Sequence, residues 1–422
     1  MPDHLKKTKD SLRRAGEEIL AEITENLMNT DLEEHLKQKL EDGPIQKLRR
    51  EKRVAEQSLR RIDSSLKFIF VHGLCGWGSY SALDKAVPYW GFLSGDLIKF
   101  LNDQGFDCYA ASVDPYGSAW DRACELYAQL AGKTVDYGKD HSSKAKHSRF
   151  GKDFSKEPLI TDFENSRIVL IGHSFGGATV RLFSELLLNG SKEEREATDP
   201  AELSDFFKGG HNGKIHALVT LAAPTNGTTA YNLYDDVNFD PKALAIPEEY
   251  ISSSFLREEM KHVNLDKESW DSADYDMHID NALELNKRIS TFKDIYYFSY
   301  PCSTSYIDSQ GRCLPDKKIT SASFLLTAYY MCTYRGTTKG GVKIGDDWSS
   351  NDGLVNEISA RAPFDAPSVD YEPDMKIKKG IWHVMPTAAG DHMFLIGGMI
   401  EAVDVHPFYT GLLEKIIALD KK

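Results

Sequence analysis

The sequence lacks several features that would indicate particular classes of protein. It has no apolar run near the roughly 20 residues that a membrane-spanning helix needs, and it has no internal repeat or low-complexity tract. Basic residues are in the minority, with 51 Lys and Arg against 64 Asp and Glu and a net charge of -13. Such a chain does not provide the basic field that nucleic-acid binding requires. We therefore predict no nucleic-acid partner and no transmembrane span.

Cysteines are few, and their spacing does not indicate a metal site. The six cysteines are scattered and show no CxxC pair. The charged residues 1–7 lead into no apolar segment of the kind found in secretory signals. We therefore expect reduced thiols in a cytoplasmic protein, with secretion as the alternative if a leader has been removed. Under oxidising conditions, Cys302 and Cys313 could close a hairpin.

Residues 1–65 differ in composition from the rest of the chain. Their charge is dense and nearly balanced, and apolar residues recur at helical spacing on both sides of Gly43-Pro44. This pattern predicts an N-terminal extension of two or three amphipathic helices. We expect the extension to pack on the main domain, residues 66–422, and self-association through a short coiled coil is the alternative.

From Leu66 onwards, apolar strand-like runs alternate with helical segments and Gly-rich turns. This alternation predicts an α/β fold with a mainly parallel central sheet and helices on both faces. The predicted strands are residues 66–71, 106–113, 167–171, 215–221 and 295–300, and the clearest helices are residues 97–101 and 120–131.

The run from Arg167 to Gly177 is the most informative segment. An apolar strand leads directly into Gly172-His173-Ser174-Phe175-Gly176, and small residues then begin a helix. This context is typical of a nucleophile elbow, in which glycines on either side leave room for a tight strand-to-helix turn. The turn lifts the serine hydroxyl clear of the sheet, so Ser174 is the candidate nucleophile.

A serine nucleophile needs a base and an acid that orients the base. In α/β-hydrolases the acid follows the serine in the chain and the histidine comes last. Asp352, in a turn after an apolar region, and His392, in a loop before the last apolar helix, satisfy this order. Asp346 and Asp347 are rival acids and His383 is a rival base, and the spacing alone does not decide between them.

Two backbone amides should complete the site by binding the oxyanion of the reaction intermediate. One amide belongs to the residue after the nucleophile, Phe175. The other should come from the Gly-rich loop after the first strand, His72 to Gly78, where the Leu74 amide can point inward.

Several segments together resemble the zinc-containing bacterial true lipases, the thermophilic Bacillus-type and staphylococcal enzymes. The matching segments are His72–Gly78, Trp120–Leu130, Thr134–Gly138, Ala222–Thr229 and Asn351–Gly353. The resemblance runs from about Phe68 to about His392. It implies the α/β-hydrolase fold, with Ser174 as nucleophile, Asp352 as acid and His392 as base.

The resemblance also implies a zinc site and a lid. The family's ligand positions read Asp121, His141, His147 and Asp271 in this sequence. Two histidines and two aspartates would close a tetrahedral site, so the metal would be structural. From spacing alone, His141 and His147 would be ordinary loop residues. Insertions around residues 120–150 and 230–275 would carry the zinc site and the helical lid.

The sequence departs from the family in two places. The family's Ca²⁺ carboxylates are expected shortly after the base, but residues 393–399 are apolar apart from two glycines, so we expect no calcium site. The segment between Thr229 and Trp270 also looks shorter than the family's lid. Its apolar residues suit an amphipathic cover that opens at a lipid surface, or else an ordinary surface helix that does not move; they are Leu244, Ile246, Tyr250, Ile251, Phe255 and Leu256.

These observations predict a lipase or esterase that cleaves acyl-lipid esters through an acyl-enzyme on Ser174. Its partners would be an acyl ester or lipid substrate, with transient contact to a lipid interface. One alternative is an acyltransferase that uses the same acyl-enzyme. The other is a helical interaction protein that carries an idle hydrolase domain.

Overall fold

The computed structural model describes residues 66–235, 270–398 and 402–419. Its strands are Leu66–Val71 (β1), Cys108–Ala111 (β2), Thr134–Asp136 (β3), Phe150–Asp153 (β4), Arg167–His173 (β5), Ile215–Leu221 (β6), Tyr296–Tyr300 (β7), Cys302–Ser303 (β8), Ser305–Ile307 (β9), Cys313–Pro315 (β10), Gly336–Thr337 (β11), Lys343–Ile344 (β12), Ser368–Asp370 (β13), Trp382–Val384 (β14) and Ala388–Ala389 (β15).

The helices connect these strands along the chain. They are Leu97–Asp103 (α1), Ala119–Ala131 (α2), Lys139–Ala145 (α3), Gly176–Asn189 (α4), Lys192–Ala197 (α5), Asp205–Lys208 (α6), Ala230–Asp235 (α7), Ala273–Met277 (α8), Ile279–Asn286 (α9), Ala322–Thr333 (α10), Glu357–Arg361 (α11) and His406–Ala418 (α12). The predicted extension (1–65) and the apolar lid residues from Leu244 to Leu256 lie outside the described residues. Among the described helices, none is both long and apolar enough to cross a membrane.

Seven strands form one central sheet in the order β13-β14-β7-β6-β5-β1-β2. Every pairing in this sheet is parallel. Parallel neighbours need a crossover connection, and helices usually provide it. The prediction of an α/β fold with a mainly parallel sheet is confirmed.

The sheet is covered on both faces, as its continuous apolar strands predict. Successive residues of β1 point to opposite faces, so Phe68 and Phe70 belong to one buried cluster while Ile69 and Val71 belong to the other. The Ile69 cluster includes residues of α2 and α4. The Phe68 cluster includes residues of α1 and α12.

Predicted and observed strand bounds agree best at the centre of the sheet. The bounds of β1 and β6 match the prediction, β7 differs by one residue, and β5 continues two residues beyond its predicted end. The second strand is shorter than predicted, since only residues 108–111 of the segment 106–113 pair in the sheet. Sequence reasoning missed the edge strand β13 and its neighbour β14, because each has only three residues.

The topology brings the chemically important loops to the carboxyl edge of the sheet. Ser174 directly follows β5, and Leu74 follows the adjacent strand β1. In parallel α/β sheets this edge is where ligands bind.

Candidate active site and metal-binding cluster

Ser174 occupies a strained turn between β5 and α4. Its backbone φ is 54°, a left-handed conformation that is uncommon for a residue with a side chain. Its backbone N–H donates to Leu221 O at 2.8 Å, which fixes the turn to the neighbouring strand. A Cβ atom at Gly176 would lie 2.2 Å from Val71 O, so a larger residue cannot follow the serine at this position. These features match the geometry expected of a nucleophile elbow.

The structure brings Ser174, His392 and Asp352 together in one hydrogen-bonded chain. Ser174 Oγ lies 2.8 Å from His392 Nε2, and the Nδ1–H group of His392 donates to Asp352 Oδ2 at 2.8 Å. All three residues are buried, with Asp352 only 1% exposed. The serine hydroxyl can therefore give its proton to a histidine whose other nitrogen is held by a carboxylate.

Asp352 is oriented by its own turn. Its Oδ1 atom accepts hydrogen bonds from the backbone N–H groups of Leu354 at 3.0 Å and Val355 at 2.7 Å. The backbone N–H of His392 donates to Asp352 O at 2.9 Å. These bonds leave Oδ2 directed at the imidazole, so the acid and the base are held by both backbone and side chain.

The rival residues make other contacts. Arg335 Nη2 donates to Asp346 Oδ1 at 2.7 Å, and the Asp346 side chain is 93% exposed. Asp347 is exposed. His383 is buried on β14, where its Nδ1 lies 3.2 Å from Tyr297 O.

The predicted oxyanion donors have no acceptor among the described residues. Within the described parts of the chain, the backbone N–H groups of Leu74 and Phe175 make no hydrogen bond. Gly73 lies directly against the serine, because a Cβ atom there would be 2.6 Å from Ser174 Cβ and 3.0 Å from its Oγ. The loop after β1 can approach the nucleophile this closely only with glycine at residue 73.

The peptide group between Gly73 and Leu74 is fixed by side chains. His72 Nδ1 lies 2.9 Å from Gly73 O, and Arg122 Nη1 donates to the same oxygen at 3.3 Å. Arg122 also lies over the ring of Phe175, at 5.0 Å from its centroid. Because a trans peptide is planar, anchoring the carbonyl of residue 73 makes the N–H of residue 74 point the opposite way. Arg122 therefore contacts the carbonyl of the peptide that carries the Leu74 amide and the ring of Phe175.

A second set of hydrogen bonds links this loop to the histidine. The backbone N–H of Gly73 donates to Tyr89 Oη at 2.9 Å, Tyr89 Oη lies 2.7 Å from His173 Nδ1, and His173 Nε2 lies 2.9 Å from His392 O. Burial lowers the pKa of His173 well below its ordinary value, so the ring is neutral. Since a carbonyl only accepts, His173 donates from Nε2 and accepts from the Tyr89 hydroxyl at Nδ1.

Sequence reasoning did not assign roles to Tyr89, Arg122 or His173. His173 lies within the elbow motif and Arg122 within a segment used for the resemblance, so both were near recognised signals. Tyr89 lies in the loop between β1 and α1, and no spacing pattern connects it to the elbow. Tyr89 contacts His173, which lies 84 residues later in the sequence.

Asp121, His141, His147 and Asp271 come together as a group that could bind a metal ion, with their ligand atoms all within 4.8 Å of one another. His141 Nε2 lies 3.1 Å from Asp121 Oδ1 and 3.2 Å from Asp271 Oδ1. His147 Nε2 lies 3.6 Å from Asp121 Oδ1 and 3.3 Å from Asp271 Oδ2. Ligands with bonds of about 2.0 Å to a tetrahedral ion are separated by about 3.3 Å.

The surroundings of the cluster also suit a cation. His147 Nε2 and Asp271 Oδ1 are buried and have no well-directed hydrogen-bond partner. The Nδ1 atom of His147 lies 2.8 Å from Ser148 O, a contact that places the ring proton on Nδ1 and leaves Nε2 as a ligand. Burial raises the pKa of Asp121, and the like charge of the neighbouring Asp271 adds to the shift. Two carboxylates side by side favour a positive ion between them.

The geometry can be compared with that of known proteins. Residues 65–243 and 246–421 match the family described as "Lipase-like, C-terminal domain". The chain belongs to this family. It is 30% identical over 388 residues to Lipase 2 of Staphylococcus aureus, and the aligned region covers 83% of this chain and 54% of the relative. The Lipase of Staphylococcus hyicus is 31% identical over 389 residues, covering 84% of this chain and 58% of the relative. The chain thus spans just over half the length of these relatives.

Solved structures of similar proteins agree with this lipase-like fold. EstA from Clostridium botulinum is 31% identical with a TM-score of 0.71, covering 84% of this chain and 87% of that one. The Staphylococcus hyicus lipase is 28% identical with a TM-score of 0.70, covering 86% and 98% of the two chains. Lipase 1 from Pelosinus fermentans is 31% identical with a TM-score of 0.67, covering 83% and 98%. The resemblance to staphylococcal-type lipases inferred from the sequence is confirmed.

Proposed function

We propose that this chain hydrolyses carboxylic esters of acyl lipids through an acyl-enzyme formed on Ser174. The observation that carries the proposal is the hydrogen-bonded series Ser174–His392–Asp352, with 2.8 Å at each step. Beside it lie two backbone amides that have no acceptor among the described residues. Membership of a lipase-like family and the names of the relatives, lipases and an EstA, support an ester as the substrate.

In the first half of the reaction, Ser174 Oγ attacks the ester carbonyl while His392 Nε2 accepts its proton. The carbonyl oxygen becomes an oxyanion, which the N–H groups of Leu74 and Phe175 bind. Phe175 immediately precedes α4, so the positive end of that helix adds to the stabilisation. Asp352 stabilises the imidazolium, and His392 then passes the proton to the leaving alcohol.

In the second half, water attacks the acyl group with His392 as the base, and the fatty acid leaves. The Leu74 N–H, which binds the oxyanion in both halves, belongs to the peptide whose carbonyl His72 and Arg122 hold. Tyr89 holds the preceding peptide by accepting from Gly73 N–H. The side chains of Tyr89 and His173 therefore act as positioning residues, connecting the oxyanion loop to the base.

The direct test is hydrolysis of p-nitrophenyl esters from acetyl to palmitoyl, repeated with an acceptor alcohol present. We expect enzyme-dependent release of p-nitrophenol, with free acid as the main acyl product. The chain length with the highest kcat/KM then defines the acyl specificity. Failure to hydrolyse any ester of the series would contradict the proposal, as would predominant transfer of the acyl group to the alcohol in dilute buffer.

Replacing Tyr89 with phenylalanine should lower kcat by about tenfold and change KM by less than about twofold. The variant loses the hydroxyl that accepts from Gly73 N–H and contacts His173, so the oxyanion loop and the base are no longer connected. Steady-state kinetics on one ester measures both constants.

The matched control for this variant is Tyr297→Phe. Tyr297 is also buried, and its Oη also accepts a backbone hydrogen bond, from Phe292 N at 2.8 Å, but it lies at the start of β7. Both variants should lose a few degrees in Tm, and only Tyr89→Phe should lose kcat. An equal fall of kcat in both would reduce Tyr89 to a general structural role.

We further propose that the cluster of Asp121, His141, His147 and Asp271 binds Zn²⁺ as a structural ion. Imidazole nitrogens with carboxylate oxygens suit zinc, and four protein ligands leave no open position for water. When bound, the ion would contribute folding free energy by joining α2, α3 and the loop after α3 to Asp271, beyond the predicted lid.

Removing the metal should lower Tm by about 5 °C or more, because its binding free energy is also folding free energy. Differential scanning calorimetry after dialysis against dipicolinate, followed by zinc readdition, measures the loss and its recovery. His141→Ala should contain no stoichiometric zinc and show no chelator effect, whereas His211→Ala should behave like the wild type. A wild-type protein that contains no metal and has the same Tm with and without chelator would contradict the assignment.

A further inference from the structure

Two buried cysteines lie in direct contact outside the proposed active site. Cys313 is on β10 and Cys332 is near the end of α10, and their Sγ atoms are 3.3 Å apart. Their exposed fractions are 8% and 1%. A disulfide bond needs an Sγ–Sγ distance of about 2.05 Å, so a shift of little more than 1 Å would bring the two sulfurs to bonding distance.

The sequence offered a different pairing, which the structure does not favour. Cys302 belongs to the buried cluster under β1 and α12, and neither Cys313 nor Cys332 is part of that cluster. Cys313 instead packs against α10, and all six cysteines are free thiols in the structure. The thiol in contact with Cys313 is therefore 19 positions later in the chain, on α10, and not on β8 with Cys302.

The pair is connected to the loop that carries Asp352. Asn351 Nδ2 donates to Cys332 Sγ at 3.3 Å and to Ser349 O at 2.8 Å. Asn351 Oδ1 accepts from Gly353 N at 2.9 Å. One asparagine side chain thus joins α10 to the residues on either side of the proposed acid.

We propose that Cys313 and Cys332 are a reversible disulfide site, oxidised by a small-molecule disulfide such as glutathione disulfide, and that the bond fastens β10 to α10 behind the Asp352 loop. Cys313 is the attacking thiol because it retains some exposure. Its contact with Cys332 lowers the pKa of Cys313, which favours the nucleophilic thiolate.

The exchange proceeds in two balanced steps. The Cys313 thiolate attacks one sulfur of glutathione disulfide, forming a mixed disulfide and releasing one glutathione thiolate. Cys332 then loses its proton as its sulfur attacks the Cys313 sulfur, and the second glutathione leaves as a thiolate that takes up a proton. In total, the two protein thiols lose two electrons and two protons. Glutathione disulfide takes up these electrons and protons and becomes two molecules of glutathione.

The bond should stabilise the fold without changing the chemistry at Ser174. It would close a loop of about 20 residues, restricting the unfolded chain. For a domain of this size we expect Tm to rise by roughly 3 to 8 °C. Dithiothreitol should reverse the rise.

The test compares the 422-residue chain equilibrated with glutathione disulfide and with dithiothreitol. Non-reducing peptide mapping should identify one linked pair of peptides, carrying Cys313 and Cys332, and Tm should be higher in the oxidised sample. The difference should vanish in Cys313→Ser and persist in Cys302→Ser, the control for the alternative pairing. Since each variant is compared with itself, a general loss of stability cancels.

Three outcomes would overturn the proposal. They are the absence of a linked pair, a Cys313 link to Cys302, and glutathione adducts that never resolve into a bond to Cys332. If Cys313→Ser does not fold, the peptide map of the wild type alone decides between these outcomes and the proposed bond.

Discussion

Replacing Ser174 with alanine is expected to lower kcat for ester hydrolysis by a factor of about 10⁴ to 10⁶. The variant keeps the base, the acid and the free amides but has no oxygen that can form the acyl-enzyme. The fold should survive, because Ser174 holds its turn through its backbone N–H bond to Leu221 O, which the substitution leaves in place. Initial rates on the preferred p-nitrophenyl ester, with Tm measured in parallel, test this expectation.

A matched control for this variant is available in the following helix. Ser184 is buried on α4, and its hydroxyl donates to Val180 O at 2.7 Å, so Ser184→Ala also removes one buried hydroxyl. We expect it to retain activity within about twofold. If Ser174→Ala retained more than about one hundredth of the wild-type rate while remaining folded, Ser174 would not be the nucleophile.

Replacing Asp352 with asparagine should lower kcat by about 10⁴-fold, the size of effect known for the corresponding change in a serine protease triad. The amide has nearly the same shape as the carboxylate, but its NH₂ group can donate to His392 Nδ1. The ring then carries its proton on Nε2, which faces Ser174, and cannot accept the serine proton. The loss should appear in kcat, measured on the same ester.

Asp346→Asn is the control for this second variant, because it tests the rival acid. The Asp346 side chain pairs with Arg335 at the surface, so its replacement should leave kcat unchanged. Full activity in Asp352→Asn, or a large loss in Asp346→Asn, would show that the acid has been assigned to the wrong residue.

The sequence predicts the centre of the fold well for a physical reason. Strands β1, β5 and β6 are buried on both faces, so each is an apolar run that ends at a turn. The edge strand β13 and its neighbour β14 have three residues each, which is too short for a side-chain pattern to give much signal. The same limit applies to β3 and β4, which form a separate two-stranded sheet.

The site was predictable in part. The elbow is a local motif, so Ser174 and Phe175 follow from neighbouring residues. Asp352 and His392 fit the order of acid and base along the chain. Their contact with each other and with Ser174 depends on how loops that lie 178 and 218 residues after the serine are placed in the fold. The candidate metal-binding group follows only from the family resemblance, because His141 and His147 have no distinctive spacing and Asp271 lies more than 120 residues later.

Contacts between polar residues that are distant in the sequence could not be predicted from the sequence. Tyr89 gives no periodic or motif signal, yet its hydroxyl joins Gly73 to His173. The nearest neighbour of Cys313 is likewise set by the packing of β10 on α10. Such pairs depend on tertiary structure, so a single sequence does not specify them.

Covalent labelling tests the central claim most directly. The wild-type protein is treated with a fluorophosphonate, digested and mapped by mass spectrometry, while residual ester hydrolysis is followed in the same sample. We predict one adduct, on Ser174, and a loss of activity in proportion to labelling, with no adduct in Ser174→Ala. An adduct on another residue, or full activity in a completely labelled protein, would contradict the assignment of Ser174 as the nucleophile.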